Sequence, residues 1–168
     1  MKTLDVQAAL LEAAVDAILA LRPRVLAAGP WPLAESYDTD AEAAWGPPEL
    51  LAHLDEALPF WLGEVERILE GDAAGPVPFG RAPDDTLRAG IIGRDRTVPL
   101  RELFARLGAD GRRVAARMRE LSASEAGRLG LHPVRGEFTI AALFERFLTS
   151  HVEGHVTQMR EILAARGA

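Results

Sequence analysis

The sequence predicts an all-α protein: an up-down-down-up type four-helix bundle with long loops between helices 1-2 and 2-3, occupying residues 1–168 as a single domain. Three observations predict it. Four segments carry apolar residues at three–four spacing. Capping or breaking residues bound each of them. Strand-like alternation is nowhere sustained. A chain of 168 residues is long enough for one hydrophobic core that needs no covalent staples.

The first helix is expected from about Leu4 to Ala28, with Leu4, Leu11, Val15, Ile18 and Val25 on one face. Thr3 can cap its start and Gly29-Pro30 stop it. Pro23 lies inside the pattern, so a kink, or an early end near Leu21, is expected. The stretch from Gly29 to Trp45 has no period and reads as a loop. Pro47-Pro48 suit the opening of the second helix, whose first positions need no amide donor. That helix should run to about Glu70, on a stripe of Leu50, Leu51, Leu54, Leu58, Trp61, Val65 and Ile68, with Pro59 able to bend it.

Glycines and prolines then crowd the stretch from Gly71 to Arg96, which reads as a long loop of the kind usually tied to function. The third helix is expected near Val98, with Thr97 as its cap and Pro99 in its first turn. Leu103, Phe104, Leu107, Gly111, Val114 and Met118 form its inward face. A second irregular stretch covers Ser122 to Phe138. Thr139 caps the last helix, expected from about Ile140 to Ala165. Its inward stripe reads Ile140, Phe144, Phe147, Leu148, His151, His155, Gln158 and Ile162.

Composition narrows the chemistry. Cysteine is absent, which removes disulfides, thiolate metal sites and cysteine nucleophiles. The net charge of −6 argues against nucleic acid as a partner, since phosphate binding needs positive charge. No apolar run approaches a membrane span. Acids at Asp5, Glu12 and Asp16 break any signal-peptide pattern, so a cytoplasmic protein is expected.

The four histidines carry the functional argument. His151 and His155 are i and i+4, about 40° apart around a helix, so they share one face. Such a pair can grip one metal ion through two imidazole nitrogens. A buried, hydrogen-bonded pair without metal fits the same spacing. Gln158 shares the face, either orienting a ligand or packing as an ordinary glutamine. His53, at the edge of the second helix's apolar face, is the candidate third ligand; the alternative is a boundary residue bonded to solvent or to Glu49. Glu153 points away from the pair and reads as a surface acid. Val152 stands where zinc proteases place their glutamate, so that mechanism is excluded. His132 reads as a loop histidine and not a ligand. Glu49 and Glu56, one turn either side of His53, could act as Gln158 does but read first as surface acids. Arg81, Arg88, Arg94 and Arg96 could clamp a carboxylated thiol or acid substrate but read first as solvated loop charges, and Arg112, Arg113, Arg117 and Arg119 read as a solvated helix face.

Two stretches carry a resemblance. Trp45-Gly46-Pro47-Pro48-Glu49-Leu50-Leu51-Ala52-His53-Leu54 resembles a tryptophan-led entry into a helix ending in a metal histidine. His132-Pro133-Val134-Arg135-Gly136-Glu137-Phe138-Thr139-Ile140, followed by His151, His155 and Gln158, is similar to a proline–glycine loop leading into a threonine-capped helix with two histidines. Together they resemble the DinB/YfiT-like superfamily of metalloenzymes over nearly the whole chain. The resemblance implies one divalent metal held by His53, His151 and His155, with zinc or nickel first and iron or manganese next. It implies open coordination positions, a homodimer, and a low-molecular-weight thiol such as bacillithiol or mycothiol as cofactor. The implied activity is transfer to, or hydrolysis of, a small electrophile, with a small-molecule substrate. A non-catalytic metal-binding or stress-related small-ligand-binding bundle is the alternative.

Overall fold

A computed structural model describes residues 2–37, 39–72, 74–82 and 85–167 of the chain. Helix α1 spans Leu4–Ala27, and the Thr3 hydroxyl accepts from the Val6 amide at 3.3 Å. Its buried face includes Leu11, Val15, Ile18 and Val25, as the period predicts. The helix does not end near Leu21. It continues through Pro23, because a proline this close to the C-terminus removes one amide bond while Val25, beyond it, is fully buried. The Trp31 indole closes the end by donating to the Val25 carbonyl at 2.8 Å.

Helix α2 spans Pro47–Glu70 and also runs through its internal proline, Pro59. Every residue from Pro47 to Leu58 is buried, so its first three turns are covered on all sides. The main core covers one side. The other is covered by a small cluster of Trp45, Ala52 and Ile92.

The stretch from 71 to 96 is not a bare loop. It contains strand β1, Val77–Pro78, and helix α3, Thr86–Asp95, started by Asp85, whose carboxylate accepts from the Leu87 amide at 2.9 Å. Gly90 and Gly93 weaken the helical signal of α3, since each costs about 1 kcal/mol against alanine. Gly93 has a packing reason: a Cβ there would lie 2.6 Å from the Tyr37 ring.

Helix α4 spans Leu100–Glu120, starting two residues later than predicted. Thr97 does not cap it; its hydroxyl donates to the Arg94 carbonyl at 2.8 Å and closes the end of α3 instead. The inward face from Leu103 to Met118 is the predicted one. A short helix α5, Ala123–Ala126, leads to β2, Leu129–His132, and β3, Gly136–Thr139. β2 pairs parallel with β1 and antiparallel with β3, giving a three-stranded sheet of order β1-β2-β3. The sequence reading finds no strand here because segments of two to four residues are too short to display alternation.

Thr139 caps α6, Ile140–Leu143, accepting from the Ala142 amide at 3.1 Å as predicted. A π-helical segment, Phe144–Thr149, follows, then α7, Ser150–Ala165. The wider π turn rotates everything after it relative to a continuous α-helix. The buried residues of α7 are Val152, His155, Val156, Met159 and Leu163, so that of the predicted stripe His155 is buried and Ile162 packs partly buried against the core, while His151 and Gln158 are half-buried beside it.

The protein is thus mainly helical, with a small sheet set against one side. Residues of α1, α2, α4 and the α6–α7 run share one hydrophobic cluster. No helix among the described residues is long and apolar enough to cross a membrane.

Candidate metal centre

The buried half of α2 and the face of α7 beside the core bring His53, His151 and His155 together. One ring nitrogen from each lies within 4.8 Å of the others. His53 and His155 are buried and His151 is partly so. The Nε2 atoms converge: His53 to His151 at 3.0 Å, and His155 to His151 at 2.8 Å. Trp45 packs on the His53 ring at 5.4 Å between centroids.

The outward nitrogens decide the tautomers. His151 Nδ1 lies 3.2 Å from the Phe147 carbonyl, which only accepts, so this nitrogen carries the proton. His155 Nδ1 faces Gln158 Oε1 at 2.8 Å. Gln158 Nε2 donates to the Glu42 carbonyl at 2.8 Å, which fixes the amide with its oxygen toward His155. His155 Nδ1 is therefore a donor too. Both rings then direct Nε2 lone pairs inward, 2.8 Å apart, an arrangement that calls for a proton or a cation between them.

His53 is different. Its Nδ1 faces Arg88 Nη2 at 3.2 Å. A guanidinium only donates, so His53 Nδ1 accepts, and its proton sits on Nε2, pointing at His151. His53 can offer a lone pair to a metal only after Arg88 leaves Nδ1. Glu42 Oε2, 3.8 Å from the same guanidinium nitrogen, is a partner at hand.

Burial is the first cause that lowers all three histidines, and neighbouring rings add to it at His53 and His151. His151 is pushed down to about 3, first by burial and then by His155. His53 lies well below the usual histidine value, through burial and then His151 and His155. His155 is lowered by burial against the opposing pull of Gln158 and Glu42. Neutral imidazoles are the form that ligates a divalent ion. Tetrahedral zinc at about 2.0–2.1 Å from each nitrogen needs nitrogen–nitrogen separations near ~3.3 Å. The observed 2.8 and 3.0 Å fall a few tenths short. The donor set and its convergence fit a divalent ion, with His151 and His155 already in the ligating tautomer and His53 able to join them once Arg88 leaves its Nδ1.

A cavity of about 380 Å³ opens beside the cluster, with His53 and His151 in its wall. His132 stands apart from the trio and lines the same cavity. It is not in a loop: it ends β2 and is buried, its ring stacked on Phe147 at 5.5 Å and 8°. Gly80, in the left-handed region at φ 81°, passes the His132 ring so closely that a Cβ would lie 2.5 Å from it.

Several polar residues read as solvent-facing are structural. Glu49 is fully buried and accepts from the Gly46 amide, the Ala34 amide and Arg96 at 3.2, 2.9 and 3.2 Å. Arg96 also donates to the Ala34 carbonyl at 2.7 Å. Glu56 is buried and takes both branches of Arg81 at 2.6 and 2.7 Å. Arg81, Arg88 and Arg96 are thus not solvated loop charges, whereas Arg94 is exposed. Glu153 faces solvent, as predicted. Glu42 and the π segment belong to the site without any sequence expectation for them, and Arg88, expected as a loop charge or carboxylate clamp, instead stands between His53 and Glu42. Glu42 and Arg88 sit in stretches without period, and no local sequence signal marks either.

Fold and site together define a mainly helical protein with a three-histidine cluster beside an arginine-rich cavity. No family model matches the chain, and no curated protein or solved structure matches it significantly.

Proposed function

We propose that this protein is a divalent-metal-dependent enzyme of the DinB/YfiT-like kind, its four long helices arranged as an up-down-down-up bundle. The observation that carries the reading is the convergence of three neutral imidazoles at the wall of a cavity, with His53 and His151 on the open side. A closed structural site has no such approach. His53, His151 and His155 would hold the ion. When bound, it supplies a positive charge that lowers the pKa of a water or thiol placed beside it. Gln158 holds His155 in the ligating tautomer, and the Phe147 carbonyl does the same for His151. Glu42 Oε1, 3.7 Å from His155 Nε2, is the carboxylate oxygen placed to take up the proton that the nucleophile loses. Since the chain has no cysteine, a thiol must be a soluble cofactor such as bacillithiol or mycothiol.

A second reading has one observation in its favour. The His53–His151 contact satisfies two of the rings without an ion, which suits a non-catalytic bundle that binds a small ligand. Elemental analysis of untagged protein, reconstituted with zinc or nickel and dialysed, separates the two. One ion per chain is expected in the wild type and none in His151→Ala. Absence of stoichiometric metal from the wild type removes the enzymatic reading.

A further inference from the structure

The cavity beside the histidines is unlike the rest of this acidic chain. Arg81, Arg88, Arg135 and Arg146 line it, and no described acidic residue does. Arg81 is engaged by Glu56, and Arg88 stands between His53 and Glu42. Arg135 and Arg146 are exposed and have no hydrogen-bond or ion-pair partner among the described residues. Two unneutralised guanidinium groups at the mouth of a concave site attract an anion and offer it paired donors.

Part of the lining of the same cavity is aromatic. Phe147 lies 4.2 Å from Trp61 at 21°, and 5.5 Å from His132 at 8°. Three near-parallel rings present a face on which a planar group can stack. The volume, about 380 Å³, suits a molecule of small-metabolite size.

We propose that this cavity binds a small planar organic acid, an aryl or conjugated carboxylate, with its carboxylate at Arg135 and Arg146 and its plane against Phe147 and His132. The role of that acid as the substrate rests on the proposed metal centre, because the reacting part of the molecule would face His53 and His151. Its binding does not depend on an ion, since the arginines and the rings supply it.

Isothermal titration with benzoate, neutral benzamide and non-planar cyclohexanecarboxylate tests this on zinc-free and zinc-reconstituted protein. Benzoate should bind zinc-free protein at least about tenfold more tightly than either analogue. Arg135→Gln with Arg146→Gln should remove that preference for the anion and leave zinc content and helical circular dichroism unchanged. Phe147→Leu should reduce the preference for benzoate over cyclohexanecarboxylate. Equal affinity for benzamide, a lack of benzoate binding at millimolar concentration, or an anion preference that survives the double substitution overturns the proposal. The two readings fail separately. Stoichiometric zinc with no benzoate preference removes the acid site and leaves the metal centre. A benzoate preference in a protein that retains no metal does the reverse.

Discussion

Asp55 lies two residues past His53 and about 200° around α2 from it, so it looks away from the cluster. It is buried, and neither carboxylate oxygen has a hydrogen-bond partner among the described residues. Burial, reinforced by Asp110 and opposed by Arg106, pushes its pKa up to about 8. The folded state therefore binds a proton that the unfolded chain, with an ordinary aspartate, releases near pH 4. The stability this proton contributes is complete below that value and is lost as pH rises toward 8. Asp55→Asn removes the charge at nearly constant shape. Its stability relative to wild type should improve by on the order of 3 kcal/mol between pH 5 and pH 9, read from urea midpoints at each pH. A gap that does not change with pH would mean that the carboxylate finds a partner. The same scale explains what was legible among the charged residues. The His151–His155 pairing could be read because helical spacing is local. Glu49 and Glu56 were misread because their arginines lie 47 and 25 residues away.

Among the elements, α3 tests how packing overrides propensity. Gly90 and Gly93 lie on the same helix, and propensity alone predicts that alanine at either stabilises by up to about 1 kcal/mol. The surroundings differ. Nothing lies within 4 Å of a Cβ at Gly90, whereas one at Gly93 would meet the Tyr37 ring at 2.6 Å. Gly90→Ala should therefore raise the thermal midpoint, and Gly93→Ala should lower stability by about 1–3 kcal/mol, the usual cost of overpacking. If both stabilise, the Tyr37 ring is not held against the helix. The contrast also shows why α3 was invisible: the glycine that weakens its pattern is there for a neighbour 56 residues earlier, a relation that local periodicity does not carry. The four long helices were legible because each buries a face repeating every three or four residues, and even Pro23 and Pro59 do not break them. The π segment was not legible. Its effect is a change of phase, which brings Val152 into the core beside the buried His155.

At the scale of the whole molecule, the site joins parts of the chain that are far apart. His53 comes from α2, while His151 and His155 lie 98 and 102 residues later, on α7. The unfolded chain holds these groups at random distances, so an ion that engages all three binds the folded state and hardly the unfolded one. Stabilisation then follows mass action, about 2.7 kcal/mol when free ion is a hundredfold above its dissociation constant. For a chain of 168 residues this corresponds to a rise of roughly 5–10 °C in Tm. Scanning calorimetry across a zinc titration should show Tm climbing with the logarithm of free zinc and returning to its starting value with a chelator. His53→Ala tests the long-range link specifically. It leaves the local i, i+4 pair on α7, which can still take up an ion weakly, but it cuts the tie to α2. The variant should lose most of the zinc-dependent shift. A full shift in His53→Ala would place the ion on α7 alone, and α2 would then contribute only packing.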